Sequence, residues 1–140
     1  MHQENVFRLD LPADLKYLNV LDALVSAVLS RADNLPDSEA TTYNAQLAIH
    51  EISTNIVEHA YSGIEGGRIE VTLTLFENPF RLIVDLKDTG RPFDPATVEE
   101  PDLEQGQVRG YGLFITRNLM QEVTYHREMN SNFWQLVMET

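Results

Sequence analysis

Residues Arg68 to Asp88 read Arg-Ile-Glu-Val-Thr-Leu-Thr-Leu-Phe-Glu-Asn-Pro-Phe-Arg-Leu-Ile-Val-Asp-Leu-Lys-Asp. Ile69, Val71, Leu73 and Leu75 alternate with Glu70, Thr72 and Thr74, the period of a strand with one buried face, so a strand is predicted from Arg68 to Glu77. Leu82, Val84 and Leu86 repeat the pattern from Arg81 to Leu86, and Glu77-Asn78-Pro79-Phe80 between them reads as a hairpin turn.

Upstream of this hairpin the apolar period lengthens. Leu15, Leu18, Leu21, Leu24, Val25, Val28 and Leu29 follow helical spacing from Asp14, a capping residue, to about Ala32. After the break at Asn34-Leu35-Pro36-Asp37, a second helix capped by Asp37 or Ser38 runs to about Tyr61, its stripe formed by Ala45, Ala48, Ile49, Ile52, Ile56 and Ala60. Val6, Leu9 and Leu11 place an opening strand at Asn5 to Leu11, ahead of Pro12. Downstream, Lys87 to Gly110 has no sustained period and holds Pro92, Pro95, Pro101 and an acidic cluster at Glu99, Glu100, Asp102 and Glu104. A loop that long inside a compact domain is usually a lid or binding loop. Helical spacing resumes from Leu113 to Met120, and two strands, near Glu122 to Glu128 and Phe133 to Met138, close the chain.

With 140 residues the chain suits one domain, 1–140, able to bury roughly two-thirds of its unfolded surface without disulfide or metal staples. There is no cysteine, which excludes a disulfide framework, thiolate metal sites and thiol nucleophiles and agrees with a reducing compartment. Ten Lys and Arg against 22 Asp and Glu give a formal charge of -12. Such a surface repels phosphate backbones and anionic headgroups, which argues against nucleic acid and membrane as partners. Met1-His2-Gln3-Glu4 lacks the basic and apolar regions of a signal peptide, and the stretch Val20 to Leu29 is too short to span a bilayer. The expectation is a soluble cytoplasmic protein.

Three polar segments carry the candidate chemistry. In Glu51-Ile52-Ser53-Thr54-Asn55-Ile56-Val57-Glu58-His59-Ala60-Tyr61, Glu51 and Asn55 lie one helical turn apart and flank the apolar stripe. A carboxylate beside a carboxamide suits a Mg2+-phosphate site, where one or two protein oxygens suffice; a solvated helix face is the plainer alternative. His59 lies near Asn55, although a histidine near a helix C-terminus also serves the dipole. His50-Glu51-Ile52-Ser53-Thr54 begins like a zinc-protease helix, but Thr54 stands where the second histidine is needed.

The second segment is Asp88-Thr89-Gly90-Arg91-Pro92-Phe93-Asp94, directly after a strand. An acid there, followed by a glycine that admits a flat ligand, can accept a hydrogen bond from an exocyclic amine such as adenine's; an ordinary turn is the alternative. The third is Gly106-Gln107-Val108-Arg109-Gly110-Tyr111-Gly112-Leu113, opening a helix. Free amides at a helix start favour anions and Arg109 adds a cation, whereas neither a Walker nor a Rossmann glycine pattern is present.

In order and spacing these segments resemble the GHKL ATPase superfamily of gyrase, histidine kinase and MutL relatives, and within it the bacterial anti-sigma factor serine/threonine kinases. The resemblance covers nearly the whole chain and is most specific at Glu51 to Tyr61, Asp88 to Pro95 and Gly110 to Leu113. It implies an α+β fold of two layers, helices on one face of a mixed, mainly antiparallel sheet, with ATP and Mg2+ held between helices and lid. By position Glu51 then resembles the general base for the acceptor hydroxyl and Asn55 the Mg2+ ligand. Asp88 resembles the adenine-reading aspartate, Gly90 the glycine beneath the base, and Gly110 and Gly112 the glycines whose amides face phosphate. His59, Phe93, Arg109, Tyr111 and Leu113 fall within the same nucleotide-binding segments. Arg109 is adjacent to Gly110, whereas some relatives carry an arginine two residues ahead of that glycine, where this chain has Val108. The resemblance further implies that a serine of a STAS-type anti-anti-sigma protein accepts the γ-phosphoryl group and that this protein competes with a sigma factor for the kinase. The chain has no room ahead of its nucleotide motifs for the phosphoacceptor helices of a histidine kinase. Relatives are commonly dimeric, which makes a homodimer through the first helix's stripe an expectation, with core burial the simpler use of that stripe. A nucleotide-gated binding module without kinase activity, needing all these residues except Glu51, is the alternative function.

Overall fold

The computed structural model describes residues 4–93 and 116–139. Five strands form one sheet: β1 (Glu4–Pro12), β2 (Arg68–Phe76), β3 (Arg81–Asp88), β4 (Glu122–Glu128) and β5 (Ser131–Glu139), in the order β1-β2-β3-β5-β4. Every one of the four pairings is antiparallel, so among the described residues the sheet lies at the antiparallel extreme of the expected mixed arrangement. β1 and β4 are the edges, and Pro12, which has no N–H to donate, sits at the end of an edge strand where it costs no ladder bond.

One face of the sheet is apolar because the alternation puts it there. Val71, Leu73 and Leu75 of β2 lie in register with Leu86, Val84 and Leu82 of β3, which face Trp134, Leu136 and Met138 of β5, and Ile69 pairs with Leu11 of β1. α1 (Leu18–Leu29) and α2 (Ser38–Asn55) cover this face: Leu18, Leu21, Val25, Val28 and Leu29 from α1 and Ala45, Ala48, Ile49 and Ile52 from α2 join the same buried cluster. The first helix's stripe is therefore core, while Leu15 and Val20 stay exposed. The other sheet face is mixed, carrying Glu70, Thr72, Asp85, Lys87 and Gln135 beside Ile83, Phe133 and Val137. The result is the α+β, two-layer fold that the resemblance implies.

Local details depart from the sequence reading at several places. The first helix opens as a 3-10 turn at Leu15–Tyr17, with the Asp14 carboxylate accepting from Lys16 N–H at 3.1 Å as a cap should, and its α-helical part ends at Leu29. At α2 the residue before the helix is Asp37, but its backbone is left-handed (φ 46°) and its carboxylate makes no capping bond; Thr41 instead turns its hydroxyl back to the Pro36 carbonyl at 3.1 Å. The second helix does not continue as an α-helix to Tyr61, because from Ile56 to Ala60 the backbone widens into a π-helical turn closed by Tyr61 N–H donating to Ile56 O at 3.1 Å. Finally, β3 runs through Lys87 and Asp88, so the loop starts two residues later than predicted: Asp88 is the fourth member of the buried series Leu82, Val84, Leu86 and pairs with Asn132. The predicted loop beyond Phe93 and the predicted helix up to Ile115 lie outside the described residues; Thr116 to Leu119 is a helical turn.

Candidate functional site

Asp88 is placed by the sheet's period. Its side chain falls on the apolar face two residues after Leu86, where it is 2 % exposed. A carboxylate there must be satisfied or shift toward its neutral form. Its Oδ1 is satisfied twice, accepting from Asn132 Nδ2 at 2.7 Å and from the Gly90 backbone N–H at 2.9 Å. Its Oδ2 is buried and has no hydrogen-bond partner among the described residues. Burial raises the Asp88 pKa from its ordinary value, opposed by the bonds from Asn132 and Gly90 and by the nearby Arg127 guanidinium. The carboxylate is thus a fixed acceptor with one buried oxygen that no described residue satisfies.

The backbone after Asp88 is clamped. A Cβ on Gly90 would lie 2.4 Å from the Ala60 carbonyl oxygen, so glycine is the residue that lets this loop close against the end of the second helix. Arg91 N–H donates to the same Ala60 O at 2.8 Å, and the Arg91 side chain reaches Ser62 O. Tyr61 ties three elements together: its hydroxyl donates to Arg68 O at 2.7 Å, accepts from Thr89 N–H at 2.8 Å, and its ring packs on Gly67. The π-helical turn serves this geometry, since it sets Tyr61 and Ala60 against the Asp88 loop.

From the other side, Asn132 donates to Arg91 O at 2.8 Å as well as to Asp88, while its Oδ1 accepts from Tyr125 Oη at 2.5 Å and Arg127 Nη1 at 2.9 Å. Arg127 also donates to Gly90 O at 3.0 Å, and Phe93 N–H donates to Tyr125 Oη at 2.8 Å. The Phe93 ring stands edge-on to Trp134 and Tyr125, with centroids 4.9 and 5.4 Å away. Phe93 therefore anchors the loop through an aromatic cluster. Asn132, Tyr125, Arg127 and Tyr61 were not among the sequence candidates. The available signal was Asn132 itself, a polar residue in phase with the buried positions Trp134, Leu136 and Met138.

Glu51 and Asn55 lie one turn apart on α2, both half-buried, and His59 is exposed on the π-helical turn that follows. Thr54, the residue before Asn55, holds a second buried oxygen, Oγ1, without a partner among the described residues. Thr116 donates its hydroxyl to Ala48 O at 3.4 Å, which sets the helical turn it opens against the α2 turn just ahead of Glu51. The structure so joins Asp88, Gly90 and the end of the Glu51–Tyr61 helix through direct contacts. Arg109, Gly110, Tyr111, Gly112 and Leu113 lie outside the described residues. Among the described residues no three His, Asp or Glu side chains gather, so the proposed metal position rests on Asn55.

A family model matches the sequence over residues 11–138: the chain belongs to the histidine kinase-like ATPase domain family. Among curated proteins it is similar to the serine-protein kinase RsbW of Listeria monocytogenes serovar 1/2a, 32% identical over 123 residues, covering 82% of this chain and 75% of that protein. It is also similar to RsbW of Staphylococcus epidermidis, 28% identical over 138 residues, covering 89% and 81% of the two chains. Among solved structures, the RsbU and RsbW domains of Rv1364c from Mycobacterium tuberculosis share the fold with a TM-score of 0.67 at 18% identity; the match covers 96% of this chain and 32% of that one. The histidine kinase domain from the Erythrobacter litoralis EL346 blue-light-activated histidine kinase follows with a TM-score of 0.59 at 20% identity, covering 92% and 61%. Among the described residues, no helix is long and apolar enough to cross a membrane.

Proposed function

We propose that this protein is an anti-sigma factor serine/threonine protein kinase that binds Mg-ATP, phosphorylates a serine on a STAS-type anti-anti-sigma protein in the cytoplasm, and sequesters a sigma factor. The observation that carries the reading is Asp88 Oδ2, a buried acceptor at the end of a central strand with no donor among the described residues, which fits the exocyclic amine of adenine. The similarity to proteins named serine-protein kinase RsbW supports the acceptor class.

Bound ATP supplies the γ-phosphoryl group, and its Mg2+ supplies charge neutralisation. Asp88 holds the base, and Gly90, packed on Ala60, keeps the loop beneath it low enough for a flat ring to approach. Asn55 would hold the metal through its carboxamide oxygen. Glu51, one turn earlier on the rigid α2, would orient the acceptor hydroxyl and take its proton. His59, Phe93, Arg109, Gly110, Tyr111, Gly112 and Leu113 complete the proposed nucleotide contacts, the last five supplying amides and a cation to phosphate. A homodimer using the first helical segment would have to bury Leu15 and Val20.

Incubation of the protein with γ-labelled ATP and a STAS-type partner tests the reading. Label on a serine of the partner is expected. Stable ATP occupancy without label would instead define a nucleotide-gated binding module.

A further inference from the structure

We propose that Asn132 is a positioning residue that sets the base specificity of the nucleotide site, holding Asp88 so that a purine with an amine at its six-position is accepted and one with a carbonyl there is rejected. The inference rests on the nucleotide reading above and deepens it.

Asn132 is 1 % exposed and its amide is oriented without ambiguity. Arg127 has only donors, so the atom it meets at 2.9 Å must be the Asn132 oxygen, and the Tyr125 hydroxyl donates to that same oxygen. The Asn132 nitrogen is therefore turned to Asp88 Oδ1 and to the Gly90 and Arg91 carbonyls, at 2.7, 3.3 and 2.8 Å. Each of these three is an acceptor, so an acceptor in place of the nitrogen would face only like groups.

Two consequences follow for Asp88. Oδ1 is fully occupied by Asn132 and Gly90, which leaves Oδ2 as the one carboxylate oxygen without a partner among the described residues, and so the one left to pair with a ligand's donor. Asn132 also stands between Asp88 and Arg127, the charged group facing it from β4. A guanidinium bonded directly to Asp88 would occupy both oxygens, whereas an amide between them passes on a donor to Oδ1 alone. Selectivity follows from this single free acceptor. A six-amino purine supplies the matching N–H, while a six-oxo purine sets oxygen against oxygen in a buried place, a mismatch that costs roughly tenfold to a hundredfold in affinity.

The test measures dissociation constants for Mg-ATP and Mg-ITP, which differ at the six-position, in the wild type, Asn132→Ala and Arg127→Leu. Arg127→Leu changes a residue on the edge strand and reports even where Asn132→Ala does not fold. Wild type is expected to bind ATP at least tenfold more tightly than ITP, with the ratio falling severalfold in Asn132→Ala and less in Arg127→Leu. A role in folding alone would weaken both nucleotides equally and leave the ratio unchanged. An unchanged ratio in a folded variant, or no discrimination by wild type, overturns the proposal while the nucleotide site stands. Failure of wild type to bind either nucleotide overturns the underlying reading instead.

Discussion

Asp88 and Asn132 face each other as a register pair across β3 and β5, and the Asn132 amide donates to Asp88 Oδ1 at 2.7 Å while Oδ2 of the same carboxylate stays buried without a partner among the described residues. A sheet built for stability alone would put two apolar residues at that pair, as it does at Leu86 and Trp134 one step inward. Keeping a carboxylate there costs desolvation, and such polar exceptions in a core concentrate where ligands bind.

Asp88→Asn should separate binding from stability. Its amide can still accept from Asn132 and Gly90, but its NH2 group would meet the purine amine donor to donor, so Mg-ATP affinity should fall tenfold or more. Because burial raises the folded-state pKa of Asp88 above its ordinary 3.8, the folded protein binds the proton more tightly than the unfolded chain. The wild type should then lose stability relative to Asp88→Asn as pH rises from about 3.8 through the folded-state value, and the variant should be at least as stable at neutral pH. Denaturant titrations of both proteins between acid and neutral pH check this; a wild type that gains on the variant as pH rises would contradict it.

Glu51→Ala should lower phosphoryl transfer to the STAS-type partner by ~100- to 10,000-fold, the range of a general base, while changing Mg-ATP affinity little. Single-turnover transfer measured beside equilibrium binding distinguishes the two effects. Transfer at the wild-type rate would remove Glu51 from its assigned role.

Asn55→Ala should act on the metal. The affinity gained by adding Mg2+ to ATP should shrink in this variant, with metal-free ATP binding nearly unchanged. Titrations with and without Mg2+ measure the difference, and an undiminished metal increment would place the ion elsewhere.

Gly90→Ala tests the contact between the Asp88 loop and the second helix. The added methyl meets the Ala60 backbone at 2.4 Å, and backbone yields less readily than a side chain, so a cost of about 1–3 kcal/mol is expected. Thermal unfolding should show the loss, and nucleotide affinity should fall with it because the loop carries Asp88. Tyr61→Phe, which frees Thr89 N–H and Arg68 O from the hydroxyl, should do the same on a scale of about 1 kcal/mol.

The parts of this molecule that repeat were legible before any coordinates. The stripe Ala45, Ala48, Ile49, Ile52 announces a helix face and Ile69 to Leu75 a strand face, because burial imposes a period on each. Asp88 could be singled out because it follows a strand and precedes Gly90 within three residues. Tyr125 and Arg127 could not, and Asn132 only as a polar residue in phase with Trp134, Leu136 and Met138, since their roles come from a register that brings position 132 beside position 88. Near Ser131 and Asn130, Asn132 looks like turn chemistry, which is why the last strand was expected to start at Phe133. The π-helical turn at Ile56–Ala60 escaped for a related reason: one residue of widening does not disturb a stripe that ends within the same turn, while the cause, Tyr61 reaching Arg68 and Thr89, is tertiary. The Asp37 cap failed because its left-handed backbone is not the extended conformation in which a side chain caps its own helix.

The most direct test of the central claim is calorimetric titration of Mg-ATP into the wild-type protein and into Asp88→Asn. The account predicts saturable binding to the wild type and a loss of at least tenfold in affinity in the folded variant. Absence of binding to the wild type, or equal affinity in the two proteins, would contradict it.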